Sequence, residues 1–368
     1  MSSNVDSLTK MINPVASYLH DRESKRNAII AFLFVALLVV TIMSLGTGAF
    51  AIPPTKVVAI FLSKLGVDTP WAFDPRDEAV LLSIRLPRVV LGLCVGAVLA
   101  VGGAAMQGLF RNPLAEPGLV GISSGGALAA VTYIVFGWTI VGSVAVTLRP
   151  YLLPIVAFSG SFVTTVLIYL LSRSKGRTNI ASLLPAGIAI NAIAVGGIGL
   201  LQFLSDDTQL RQLNFWLLGG LGSSTWQSLL PALPLMLIPL FFLLRFARYF
   251  DALLLGETEA KHLGINVESI KRKIIVIVAL SVGAAVALSG VINFVGLLVP
   301  HVLRLIAGPK HSYLFPASIL AGGILILTAD ILARTLVVPA EFPIGLVTNL
   351  VGGPFFLWML LRKRSQMI

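Results

Sequence analysis

The feature that most constrains this chain is its series of long apolar segments, separated by short polar ones. A bilayer core takes about 20 apolar residues per helix. Segments of that kind recur at 28–48, 86–108, 119–137, 150–171, 181–204, 228–247, 273–291, 294–307, 315–336 and 344–361. The eighth is short and carries Pro300. Hydrophobic residues make up 57% of the 368 and charged residues 12%, whereas average soluble proteins are about 25% charged. Too little polar surface remains to cover a soluble globule. The reading is an all-α integral membrane protein with ten transmembrane helices. Residues 1–27 and 363–368 are polar tails, and 28–362 form one transmembrane unit. Ala49-Phe50-Ala51 faintly resembles a signal-peptidase site, but the leader is too mixed in charge, so the first span is read as uncleaved. The segment 213–222 is too short to cross and reads as a helical turn at the surface.

Charge gives the orientation. Ten spans put both termini on one side, with the loops holding Arg111, Arg173, Lys175, Arg177 and the 245–273 segment. That side collects 19 of the 27 basic residues, while the 16 acidic residues divide equally. Cytoplasmic loops are the basic ones, so both termini are expected in the cytoplasm. The net charge of +11 is explained by this asymmetry. No basic cluster interleaved with aromatics points to nucleic acid. The single cysteine, Cys94, lies in an apolar run and reads as a packing residue.

The second and seventh spans share a pattern. Residues 95–113 align without gaps to 282–300, matching Val95, Gly96, Ala97, Ala100, Gly103 and Pro113 to Val282, Gly283, Ala284, Ala287, Gly290 and Pro300. YLLP (151–154) and YLFP (313–316) open the fourth and ninth spans. The paired spans run in opposite directions, which predicts a five-plus-five inverted repeat, an architecture common among transporters. The competing explanation is shared Gly, Ala and Val bias.

Chemistry is sparse. The sequence has no Gly-Lys dipeptide and hence no Walker A loop, and no HExxH or GxSxG. His20, His262, His301 and His311 are scattered, without metal-ligand spacing. No catalytic residue and no metal site is assigned. Asp330 and Arg334, four apart on the ninth span, are the main ionisable pair inside the spans. A proton-coupled carrier usually holds more acids or histidines at mid-membrane.

Four groups of residues carry a resemblance: RLPR (85–88); QGLFRNPLAEPGLVGISSG (107–125); LLLGETEAKHLGIN (253–266); and NFVGLLVPHVLRL (293–305) with ADILART (329–335) and PAEFPIGLVTNLVGGPFF (339–356). Together they resemble the FecCD-type permease family of type II ABC importers, which carry ferric siderophores, haem or vitamin B12. The resemblance implies a homodimer in the bacterial inner membrane, with two ABC ATPase subunits docked from the cytoplasm. It also implies a periplasmic binding protein that delivers the ligand. ATP and Mg would be held by the ATPase, with no cofactor in this subunit.

The resemblance also assigns roles. Arg85, Arg88 and Arg334 would dock acidic residues of the binding protein, with lipid snorkelling or an internal Arg334–Asp330 pair as the rivals. Gly256, Glu257, Ala260, Leu263 and Gly264 would form the coupling loop (about 250–272) that enters the ATPase. Asn112 and Leu114, with Thr178, Asn179 and Ser182, would narrow the cytoplasmic end as a gate. His301 belongs to a PHxxR motif and reads as structural. The segment 205–226 resembles the haem-importing subgroup in its DDTQLR…FW…GLG…W pattern, with Gly220 departing where Ser is expected. Haem is therefore favoured as substrate, then ferric siderophore, then cobalamin. An ion-coupled secondary transporter is the alternative outside this class.

Overall fold

A computed structural model gives an almost wholly helical chain. It describes residues 2–48, 50–141, 148–174, 177–178, 180–337 and 340–364, with side chains for 22–48, 50–137, 148–173, 178, 182–337, 340–359 and 361. In chain order the helices are α1 (Ser2–Gly46), α2 (Pro54–Lys64), α3 (Pro75–Val80), α4 (Leu86–Phe110), α5 (Ile122–Val141), α6 (Arg149–Leu171) and α7 (Ile180–Leu204). They continue as α8 (Asp207–Leu217), α9 (Trp226–Leu255), α10 (Glu257–His262), α11 (Val267–Ser289), α12 (Val295–Ala307), α13 (His311–Thr335) and α14 (Ile344–Arg364). A π-turn (Leu81–Arg85) joins α3 to α4, and a 3₁₀ turn (Pro117–Val120) precedes α5. Two short strands, β1 (Arg173–Ser174) and β2 (Arg177–Thr178), pair antiparallel between α6 and α7.

Among the described residues, seven helices are long and apolar enough to cross a membrane: Arg22–Gly46, Pro75–Phe110, Arg149–Leu171, Ser182–Leu204, Trp226–Leu255, Val267–Ser289 and His311–Thr335. Three shorter apolar helices, Ile122–Gly137, Val295–Ala307 and Ile344–Met359, stand where the third, eighth and tenth spans were expected. The helix α1 begins at Ser2, so the residues expected as a polar tail are helical and lead into the apolar span Arg22–Gly46.

The Pro75–Phe110 helix is the core: 83% of its most apolar window is buried, against 11% for the first helix and 17% for Ser182–Leu204. Lipid is as apolar as a leucine side chain, so helices in a bilayer associate by close packing at small residues. Two glycine contacts set this packing. A Cβ at Gly96 would lie 2.3 Å from the Gly322 carbonyl oxygen on α13. One at Gly103 would lie 1.9 Å from the Gly296 oxygen on α12. Backbone meets backbone at both points.

Where helices break, backbone groups find partners. After α11 the chain leaves helical geometry, with Gly290 at φ 67° and Phe294 at φ 67°. Left-handed φ is costly for a bulky residue such as phenylalanine. Its ring fills the space over Gly352, where a Cβ would sit 2.3 Å from the Phe294 Cγ. The expected surface turn at 213–222 is a helix that starts earlier: Asp206 accepts from Gln209 N at 2.8 Å and begins α8. Leu213 of α8 is buried against Val131 and Leu201.

Gly96→Val is expected to destabilise the protein by about 3 kcal/mol or more, because neither backbone can yield. Gly196→Ala is the control: nothing lies within 4 Å of its added Cβ. Thermal unfolding of both variants in detergent checks this.

Candidate functional site

The RLPR and ADILART arginines converge at one end of the bundle. Each is more than nine-tenths buried, at 5% exposure for Arg85, 8% for Arg88 and 9% for Arg334. The π-turn brings Arg85 onto the end of α1. There its Nη1 donates to the carbonyls of Leu45 (2.6 Å) and Gly46 (2.8 Å), and its Nη2 to that of Phe50. Arg334 donates to the carbonyls of Thr47 (2.9 Å) and Ser44 (3.2 Å) and to the Ser44 hydroxyl (3.0 Å). The last carbonyls of a helix lack intrahelical donors, and two guanidiniums supply them here.

Asp330 lies between Arg88 and Arg334 and is wholly buried. Its Oδ1 accepts from Arg88 Nε at 2.9 Å, and its Oδ2 lies 2.9 Å from Arg334 Nη2, off the axis of a good hydrogen bond. The expected rival pairing of Arg334 with Asp330 is therefore present. The third nitrogen of Arg88, Nη1, donates to Glu341 Oε1 at 2.8 Å. Glu341 is on the loop before α14, and its side chain is 52% exposed. Beside this pair opens a cavity of about 570 Å³, lined by Trp216, Gly219–Ser223, Leu288–Gly290 and Ala340–Ile344. Hydrogen bonds from Gly220 N to Ser289 O (2.8 Å) and from Ile344 N to Gly219 O (3.0 Å) tie its three walls together. Non-helical backbone at membrane depth is tolerated where it lines a cavity or is buried in protein. Nearby, on the α2 face, Lys56 donates to Asp77 at 2.7 Å, which holds its ammonium above the usual value.

The other polar region is at the far end of α9. Trp226, at the start of α9, donates to the Leu82 carbonyl beside the arginines. The 30-residue helix α9 ends at Leu255, about 45 Å from its start at 1.5 Å per residue. Gly256 (φ 130°) and Gly264 (φ 80°) bracket the short helix α10. Ala260 is fully buried, packed with Leu253 and Val267. Glu257 pairs with Lys271 at 2.8 Å. Leu254, Leu255 and Leu263 project outward, 49%, 68% and 63% exposed.

Of the expected gate residues, Asn112 closes its own turn by accepting from Leu114 N at 3.0 Å, and Leu114 is partly exposed. Thr178 is buried, and its amide and hydroxyl both donate to Glu268 in the first turn of α11. Ser182 is half-buried, and Asn179 lies outside the described residues. No hydrogen bond joins Asn112 to Thr178 among the described residues. Glu116 opens the 3₁₀ turn nearby, and burial pushes its carboxyl up. His301 packs edge-on against Phe355. Among the described residues no group of three His, Cys, Asp or Glu could hold a metal.

Residues 36–362 match the model of the FecCD transport family. The chain belongs to the FecCD transport family. It is a multi-pass permease subunit of an ABC importer, and ATP hydrolysis belongs to a separate subunit. The chain is 45% identical to the hemin transport system permease protein of Yersinia pestis over 92% of this chain and 96% of that one. It is 38% identical to the cobalamin import system permease of Halobacterium salinarum, over 79% and 76% of the two chains. With the iron(3+)-hydroxamate import system permease of Bacillus subtilis it shares 36% identity over 93% and 98%. A solved metal-chelate type ABC transporter in an inward-facing conformation superposes with a TM-score of 0.76 at 30% identity, covering 91% of this chain and 99% of that one.

Two participants escaped the reading of this FecCD permease from sequence. Glu341 carried only the signal of an exposed acid in PAEFPIG. Glu268 carried only that of an acid in a first helical turn. No local pattern marks the partners of these acids, which lie 253 and 90 residues away. Asp330→Asn is expected to lower stability by about 3 kcal/mol or more, since it strands buried guanidiniums. A fall in the detergent melting temperature relative to wild type checks this.

Proposed function

We propose that this permease moves haem across the inner membrane of a bacterium into the cytoplasm. It would work as a homodimer with two ABC ATPase subunits and a periplasmic substrate-binding protein. The observation that carries the substrate is the similarity to the hemin transport permease, which spans nearly the whole chain. The relatives that handle cobalamin and iron(3+)-hydroxamate are less similar.

In this reading all ten apolar helices cross the membrane as two inverted halves, with both termini cytoplasmic. Packing supports the repeat. Gly96 on α4 meets Gly322 and Gly323 on α13, and its counterpart Gly283 on α11 meets Ser161 on α6. The YLLP and YLFP register makes Ser161 the counterpart of Gly323. The same contact is thus made twice, by equivalent residues.

The α10 loop is the coupling element. Exposed leucines on a polar loop mark a protein partner, and Leu254, Leu255 and Leu263 form such a patch. Gly256 and Gly264 provide its turns, Glu257 braces it through Lys271, and Ala260 seats it on Leu253 and Val267. Movement there reaches the gate through Glu268, which follows Val267 and holds Thr178. Asn112, Leu114, Thr178, Asn179 and Ser182 narrow the cytoplasmic end.

At the periplasmic end, Arg85 and Arg334 hold the rim rigid, and Arg88 faces the binding protein through its one outward nitrogen. Guanidinium suits both tasks, because its planar fork serves several acceptors at once.

Deleting the gene should abolish growth on haem as sole iron source and spare growth on a ferric siderophore. The reverse pattern would move the substrate to the siderophore class. Leu263→Asp should cost about 2 kcal/mol or more of ATPase binding, roughly thirtyfold. Co-purification of the ATPase with the tagged permease measures it.

A further inference from the structure

We propose that Glu341 is a resident stand-in for the acid of the substrate-binding protein, occupying the Arg88 nitrogen that this acid must take. The inference rests on the docking reading above. Arg88 is buried, and Asp330 takes its Nε and Nη2 (each 2.9 Å from Oδ1). Only Nη1 turns toward the open side, and Glu341 holds it at 2.8 Å. A partner carboxylate reaching Arg88 therefore meets another carboxylate already in place.

The two acids differ in what it costs to move them. Asp330 lies inside α13 with no exposed surface, and two arginines depend on it. Glu341 is on a loop and half-exposed, and Arg88 is its only ion-pair partner among the described residues. Its Oε2 faces Gly222 at the cavity rim, where a Cβ would come within 2.9 Å. It leaves by turning into that cavity, with no helix opened. Docking then exchanges one carboxylate for another, and the charge on Arg88 is never left unpaired. The exchange lowers the net affinity and lets the emptied binding protein depart, because Glu341 returns as it leaves.

The test uses the whole transporter, permease with its ATPase subunits, in nanodiscs, and measures the affinity of its substrate-binding protein. Glu341→Gln should tighten binding by about tenfold in low salt, with the gain shrinking as salt screens it. Adding Glu341→Gln to Arg88→Gln should change nothing further, since the two residues act on one contact. Unchanged or weaker binding by Glu341→Gln, with Arg88→Gln still weakening it, would overturn the stand-in and leave docking intact. Unchanged binding in both variants would remove Arg88 from the docking surface and end both readings. Arg88→Lys keeps the buried charge and serves in place of Arg88→Gln if that variant fails to fold.

Discussion

Helices that have already entered a bilayer gain little by hiding apolar surface from lipid, so their association depends on contact distance. In this permease the decisive contacts are backbone on backbone. Gly96 against Gly322 and Gly103 against Gly296 bring α13 and α12 onto α4 with no side chain between them. The polar features at both ends follow from that approach. Arg88 on α4 reaches Asp330 on α13 because the two helices are already in contact. At the other end Gln107 of α4 donates to the Gly296 carbonyl at 3.0 Å, and Arg304 of α12 donates to the Gln107 side chain.

Much of this was legible in the sequence, for a physical reason. Membrane spans announce themselves as apolar length, so the helices stand where the apolar runs put them. Boundaries were less legible. The start of α8 is set by the Asp206–Gln209 capping box, a signal that was present in the residues but outweighed by the apolar run that follows. The extension of α1 back to Ser2 lies outside the continuous apolar run, in residues whose polar and mixed charge read as a tail. The arginine motifs were legible as important positions and much less so as partners. Arg85 bonds to carbonyls 40 residues away and Arg334 to carbonyls 290 away. No local pattern encodes a partner that is a backbone oxygen.

The two ends of the molecule solve different problems with the same residue types. At the arginine end, charges are buried, shared and rigid, in an arrangement built to hold position. At the α10 end, the ion pair of Glu257 with Lys271 braces a loop whose leucines face outward. Positive-φ glycines flank that loop, and a single carboxylate, Glu268, connects it to Thr178 ahead of α7. One end is braced by buried, shared charge, and the other presents an exposed loop tied down by single contacts.

The capping of α1 has a consequence for biogenesis. Its final carbonyls, from Ser44 to Thr47, are satisfied by Arg85 and Arg334. Arg85 emerges from the ribosome about 40 residues after them, whereas Arg334 emerges about 290 residues after. The helix α1 is thus finished by α13, which is made long after it. A nascent chain stalled before α13 keeps the Ser44 and Thr47 carbonyls bare, and the arrival of Arg334 closes them. The end of α1 is therefore closed only once α13 is in place.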